Sequence, residues 1–252
     1  MNYRIAIPSY NRIDKLLNKT LKLLKNYKID DAKIDIFLEN EEQFDIYNKN
    51  LEDNYNIIIT NTTGIGDKRN YLRNYYSNIN FCKYVLFIDD DIDKIVDMNN
   101  ELENLDEFIK LAFNKTNELG LKFWGVCGYN NSFFLKDKIT TDLKYIIGAF
   151  CGLINHADDT PLSTTFDHFE DYDFSIQHYI RDNGIVRFNN IGLSTKYFGC
   201  GGITDSYGGL EKRRLATKEG GEKLVEKYPK CCSLYEKKNY YNIRLKKNPK
   251  IY

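Results

Sequence analysis

Three adjacent carboxylates, Asp89-Asp90-Asp91, follow the apolar run Tyr84-Val85-Leu86-Phe87-Ile88. Adjacent acids repel one another, and ending a strand does not require them. Side chains alternate along an extended backbone, so Asp89 and Asp91 are expected to point one way and Asp90 the other. Two carboxylates converging at the carboxyl end of a strand offer hard oxygen ligands suited to Mn²⁺ or Mg²⁺. The plainer reading is a solvated acidic turn. A second cluster, Glu170-Asp171-Tyr172-Asp173, follows Phe169. A carboxylate among aromatics in a partly dry site gains proton affinity and suits a general base. Its plainer reading is the ordinary enrichment of acids in a helix's first turn.

The elements that must position these acids are readable from periodicity. Arg4-Ile5-Ala6-Ile7 is a short strand ended by Pro8-Ser9-Tyr10-Asn11-Arg12, where Pro8 cannot donate to a ladder and Ser9 or Asn11 can cap a helix. Leu16, Leu17, Leu21, Leu23 and Leu24 recur at helical spacing. Further strands are expected over 34–38, 55–60 and 84–89, with helices through Tyr47 and from Gly64-Ile65-Gly66 through Tyr76 between them. Strands alternating with helices predict an open, mostly parallel α/β sheet flanked by helices, and one domain over 1–252. Ligands of such sheets bind at the carboxyl edge, which would gather Pro8–Arg12, Glu39 and Asp89–Asp91. Lys68 or Arg69, at the start of the Gly64 helix, could meet a phosphate or a base there. Downstream the pattern predicts a helix over 105–119, a strand over 123–127, and strand and loop over 145–155. A helix over 168–181 stopped by Asn183-Gly184, a strand over 185–189 and a basic helix over 210–228 follow.

The 36 basic and 36 acidic residues cancel, so overall charge selects no partner. From Tyr207 onward, however, 13 Lys or Arg face five Glu, a basic C-terminal extension that points to an anionic partner or to a solvated helix. The six cysteines form no CxxC pair and are expected to be reduced, which fits the cytoplasm, or a host's cytoplasm or nucleus for a viral protein. No leader is expected, and no apolar run approaches the ~20 residues of a membrane span. His156, His168 and His178 lack metal-ligand spacing, and no P-loop, GxGxxG or serine nucleophile elbow occurs.

In order along the chain, Ile7-Pro8-Ser9-Tyr10-Asn11-Arg12, the acid Glu39, Gly66-Asp67-Lys68-Arg69-Asn70, Asp89-x-Asp91 and Glu170-Asp171 resemble the nucleotide-sugar glycosyltransferases of GT-A fold, close to the family 2 pattern, over roughly residues 3–200. That resemblance implies a metal-dependent, inverting enzyme that moves a sugar from a nucleotide-sugar donor, uridine diphosphate being the first expectation, to an acceptor hydroxyl. It implies that Pro8, Ser9, Tyr10, Arg12 and Glu39 line the nucleotide pocket and that Asp67, Arg69 and Asn70 contact base or phosphates. Asp89 and Asp90 would face the nucleotide sugar, Asp89 and Asp91 would hold Mn²⁺ or Mg²⁺, and Asp171 would be the acceptor's base. More narrowly, Glu170-Asp171-Tyr172-Asp173-Phe174-Ser175 and the glycines near Gly199–Gly202 are similar to TET-associated and phage enzymes that glycosylate hydroxymethylated bases in DNA. A glycan, lipid or protein acceptor is the alternative. The late metal-binding His of many GT-A enzymes is missing, because no His follows His178; Asp205 is one substitute. Two other classes remain open: a DxD phosphatase, which usually carries its acids on the first strand, and a binding module, which would not need both acid clusters.

Overall fold

The computed structural model describes residues 1–52, 54–99, 101–195, 210–237 and 240–250. Strands β1 (Arg4–Pro8), β2 (Ile34–Leu38), β3 (Asn56–Ile59) and β4 (Tyr84–Ile88) pair in parallel in the order β3-β2-β1-β4. Between them run α1 (13–26, with a π-helical stretch), α2 (Glu41–Asn48) and α3 (Ile65–Asn74). After a short strand β5 (Lys94–Val96), helix α4 (Leu105–Glu118) leads to β6 (Phe123–Cys127), then β7 (Ile139–Thr140) and β8 (Phe150–Ile154). Helix α5 (Glu170–Asp182) and β9 (Val186–Ser194) follow. The sheet continues from β4 as β8-β6-β9-β5, with β7 on β9.

The stretch expected as strand and loop over 145–155 thus becomes a central strand. β8 lies between β4 and β6 and runs antiparallel to both, while β6 and β9 are parallel to each other. This insertion brings the turn before β8 to the carboxyl end of β4, where Asp89 N–H donates to Ala149 O at 3.0 Å. The sheet is mostly parallel and helix-flanked, as expected.

Alternation along the buried strands feeds two apolar layers. Ile5, Ile7, Leu86 and Ile88 pack on one face with Leu16 and Phe113, while Ala6, Val85 and Phe87 pack on the other with Leu72, Tyr76 and Ile176. The first layer centres on Trp124, wholly buried and met edge-on by Phe108, Phe113, Phe150 and Phe188 with centroids 5.3–6.0 Å away. Gly152 of β8 is required there, since a Cβ would lie 2.1 Å from the indole.

Helix starts follow local chemistry. Asn40 and Asn104 side chains cap α2 and α4, accepting from Gln43 N and Glu107 N. α3 begins after Gly64 at φ 85°, a conformation that favours glycine, and a Cβ on Gly66 would lie 2.4 Å from Phe166 O. Asn183, at φ 56°, ends α5 as expected. Beyond residue 209, helix α6 (Leu210–Lys227) packs against an antiparallel hairpin of β10 (Cys232–Lys237) and β11 (Tyr240–Leu245), which the sequence reading did not include.

Candidate active site

The carboxyl ends of β1, β2 and β4, the start of α3, the turn before β8 and the start of α5 surround one cavity of about 680 Å³. Pro8, Ser9, Tyr10, Arg12, Glu39, Arg69, Asp89, Asp90, Asp91 and Asp171 all line it. Asp67 and Asn70 do not. Asn70 commits its amide to the Thr164 backbone, donating to the carbonyl and accepting from N–H, both at 2.8 Å, and so fastens the segment ahead of α5 to α3. Asp205 and Gly199–Gly202 lie outside the described residues.

The aspartate triplet departs from simple alternation. β4 ends at Ile88 and the chain turns at Asp90-Asp91, so the extended geometry that would pair Asp89 with Asp91 is not continued. Arg12 Nη1 lies 3.3 Å from both Asp90 Oδ1 and Asp91 Oδ2 and holds those two together. Asp89 instead accepts from Arg69 Nη2 at 2.5 Å. Asp90 and Asp91 are both buried, and Asp90, the deeper, takes a 2.6 Å bond from the Ser9 hydroxyl, which also meets Tyr47 Oη at 2.7 Å. Burial pushes the Asp90 carboxyl up to about 6, against the opposing pull of Ser9 and Arg12. Tyr47 also accepts from Arg12 N–H at 3.0 Å, so α2 fixes the turn after β1. Asp91 accepts from Thr195 Oγ1 at 2.8 Å, bringing the end of β9 to the site.

On the far side of Asp90, Lys68 Nζ lies 3.9 Å from Glu39 Oε2 and 5.7 Å from the Tyr10 ring centre. Burial lowers its proton affinity, with Glu39 and Asp90 opposing. A carboxylate, an ammonium and an aromatic face together make a surface suited to a planar base or a sugar hydroxyl.

The second acid cluster lines the same cavity. Asp171 Oδ2 accepts from Tyr145 Oη at 2.5 Å and Oδ1 from Tyr172 N–H at 2.9 Å. The Tyr145 and Tyr172 rings stack at 4.3 Å, and Phe169 stands edge-on to Tyr172 at 5.6 Å. Glu170 does not point elsewhere, as a helical wheel suggests. It lines the cavity beside Asp171, because Phe169 enters α5 in the left-handed region at φ 65° and turns the first residues of the helix inward. The surface these acids expose belongs to the deep cavity, and burial, followed by repulsion from Asp171, pushes Glu170 up to about 8. Burial likewise raises Asp171, with Tyr145 opposing. A carboxyl of raised proton affinity beside an open cavity can take a proton from a bound hydroxyl.

Sequence reasoning missed Tyr145, Thr195 and Tyr47, which lie far along the chain from the acids they hold and belong to no motif. The basic C-terminal extension, where Arg213, Arg214 and the Tyr240-Tyr241 pair are the sequence's case for an anionic partner such as DNA, supplies another wall: those four residues line the same cavity with Thr217 of α6 and Asn242 of β11. Arg214 pairs with Glu236 at 2.8 Å and lies 5.6 Å from the Tyr241 ring centre.

The carboxylates suit a divalent cation as a shared site. Among the described residues no group of three His, Cys, Asp or Glu is placed to hold a metal. Asp89 and Asp91 are hard donors on the cavity wall, and Asp89 Oδ2 makes no hydrogen bond among the described residues. Such a pair fits a cation whose remaining ligands come from an oxygen-rich substrate and water.

No family model and no curated protein sequence matches the chain. Among solved structures, the chain is similar to a mannosyltransferase from Pyrobaculum calidifontis determined with GDP-Man and Mn²⁺, at TM-score 0.51 and 10% identity over 89% of this chain. The chain spans 64% of that enzyme's length. A 4-diphosphocytidyl-2C-methyl-D-erythritol synthase from Anaerococcus prevotii aligns at TM-score 0.39 and 11% identity, over 86% of this chain and 95% of that one. With the sheet order above, the first likeness establishes the fold as the Rossmann-like GT-A type. No helix among the described residues is long and apolar enough to cross a membrane.

Proposed function

We propose that the chain is a glycosyltransferase that moves a sugar from a nucleoside-diphosphate donor to an acceptor hydroxyl with inversion. The observation that carries this is the convergence of two acid clusters, Asp89–Asp91 and Glu170–Asp171, on one cavity of about 680 Å³ at the carboxyl edge of the sheet. Pro8, Ser9, Tyr10, Arg12, Glu39 and Lys68 hold the nucleotide, uridine diphosphate being the first expectation. Asn70 acts behind this surface, fastening α3 to the backbone of Thr164. Asp89 and Asp91 hold Mn²⁺ or Mg²⁺, and the cation supplies positive charge where the leaving diphosphate accumulates negative charge.

Asp171 takes the proton from the acceptor hydroxyl. Tyr145 and the Tyr172 backbone fix its oxygens, so the basic atom is held in place before the acceptor arrives. One displacement aided by one base inverts the anomeric carbon, giving a β-linked product from an α-linked donor. The mannosyltransferase bound to GDP-Man and Mn²⁺ supports a nucleotide-sugar and divalent-metal reading of the shared fold.

The acceptor we assign is a hydroxymethylated pyrimidine in DNA. Arg213 and Arg214 can meet phosphates, and Tyr240 or Tyr241 can stack on an extruded base. A glycan, lipid or protein hydroxyl is the alternative, favoured by the stacked Tyr145–Tyr172 faces, which suit a sugar ring. The test is a screen of UDP-, GDP- and CDP-sugars with Mn²⁺ against hydroxymethylated duplex DNA and free oligosaccharides, read by mass. A hexose or pentose increment on DNA, weakening with salt, supports the assignment. Transfer to oligosaccharide alone moves it to the alternative.

A further inference from the structure

Arg69 links the two acid clusters. Its side chain is buried, and one of its five N–H donors reaches Asp89 at 2.5 Å. Nε and Nη1 are also buried, yet neither has a hydrogen-bond partner among the described residues. Directly behind them is a void of about 10 Å³, the size of one water, lined by Arg69, Arg73, Cys151, Gly148, Glu170 and Asp171. Gly148 marks where the groups converge: a Cβ there would lie 3.4 Å from Arg69 Nη2, 3.4 Å from Asp171 Cβ and 3.6 Å from Glu170 Oε1.

The charges around that point do not balance. Asp89, Glu170 and Asp171 press on one shared guanidinium. Arg73, the other cation on the void, donates to His178 Nε2 at 3.0 Å and lies 3.7 Å from the Phe174 ring centre. Cys151, on β8, is a buried thiol whose own proton affinity is raised by burial. With Arg69 held by Asp89, Glu170 is left as the acid without a strong cationic partner.

We propose that Arg69 carries donor-site occupancy to the acceptor side: it pairs with Asp89 until a cation takes that carboxylate, then turns its idle donors to Glu170, the positioning residue that receives it. Glu170 then ionises, its proton passes to the buffer, and the Glu170–Asp171 wall is set only once the donor is bound. The inference rests on the donor-site reading above.

The test is calorimetry of Mn²⁺ with uridine or guanosine diphosphate at pH 7, in two buffers of different ionisation enthalpy, for the wild type and Glu170→Gln. Burial and the neighbouring Asp171 favour the protonated form of Glu170, so the wild type should release more protons than the variant, by a difference of up to about one. Glu170→Gln should also bind the diphosphate more weakly, by up to about tenfold (~1.4 kcal/mol), since Arg69 has lost its second partner. Equal proton counts overturn the inference, whatever the affinities. So does a wild type that binds diphosphate without releasing a proton, a result that needs no variant. Failure of the wild type to bind any diphosphate defeats the donor reading, and this inference with it.

Discussion

Replacing Arg12 with Met should destabilise the protein in a pH-dependent way, because one guanidinium nitrogen serves two carboxylates. Arg12 Nη1 is 3.3 Å from both Asp90 and Asp91, and the side chain is 21% exposed. At an effective dielectric near 20, each contact is worth about 5 kcal/mol of Coulomb energy. Desolvation cancels much of this, and breaking a buried pair costs roughly 3–5 kcal/mol. Partial exposure argues for the lower end, about 3 kcal/mol, or roughly 6–12 °C of Tm for a chain of this size. The pH sign follows from Asp90. Burial raises its carboxyl to about 6, so folding is favoured below the unfolded value of 3.8 and this contribution is lost as pH rises through about 6. Without Arg12 that proton affinity climbs further, so the penalty should be smaller at pH 4.5, where the Asp91 contact is the main loss, and larger at pH 8. Urea unfolding at the two pH values reads the difference directly. A loss below about 1 kcal/mol at pH 8, or one equal at both pH values, refutes the reasoning.

Asp171→Asn should cut turnover by roughly 10²–10⁴ with diphosphate affinity nearly unchanged, read by steady-state kinetics and calorimetry. In the wild type, turnover should fall as pH drops through the raised proton affinity of Asp171, since the base must be unprotonated. Asp91→Asn should remove most metal-dependent turnover while far-UV circular dichroism stays native; full activity of that variant in chelator would count against the metal assignment. Gly152→Ala should cost about 1–3 kcal/mol or more by overpacking, because its Cβ would lie 2.1 Å from the Trp124 ring. Trp124 is the sole tryptophan, so its fluorescence should report the disturbance.

Much of the frame was legible because buried strands advertise themselves. Arg4–Ile7, Ile34–Leu38 and Tyr84–Ile88 are apolar runs between turn residues, and their order with the intervening helices implied the parallel half of the sheet. Strand direction was not legible downstream. Phe150–Ile154 is as apolar as any parallel strand, and nothing in its composition says that it runs backwards between β4 and β6. Gly148 and Gly152 were visible as punctuation, but the purpose of Gly152, room for Trp124, depends on a partner far along the chain. The hairpin Cys232–Lys237 with Tyr240–Leu245 was missed because it is polar and only partly buried.

Within the site, acids at strand and helix ends could be found from type and position. Their pairing could not, because the turn at Asp90-Asp91 brings those two onto Arg12 and leaves Asp89 to Arg69. The contact of Asn70 with the nucleotide came only from the family resemblance; on α3 its amide bonds the Thr164 backbone.

The central claim, sugar transfer from a nucleotide donor at this cavity, is tested most directly by donor turnover. Nucleoside diphosphate release from UDP-, GDP- and CDP-sugars should be measured with Mn²⁺ and with chelator, for the wild type, Asp91→Asn and Asp171→Asn. The account predicts release from one donor class by the wild type, dependent on the cation and strongly reduced in both variants. Release from no nucleotide sugar, or release unchanged in chelator and in both variants, would contradict it.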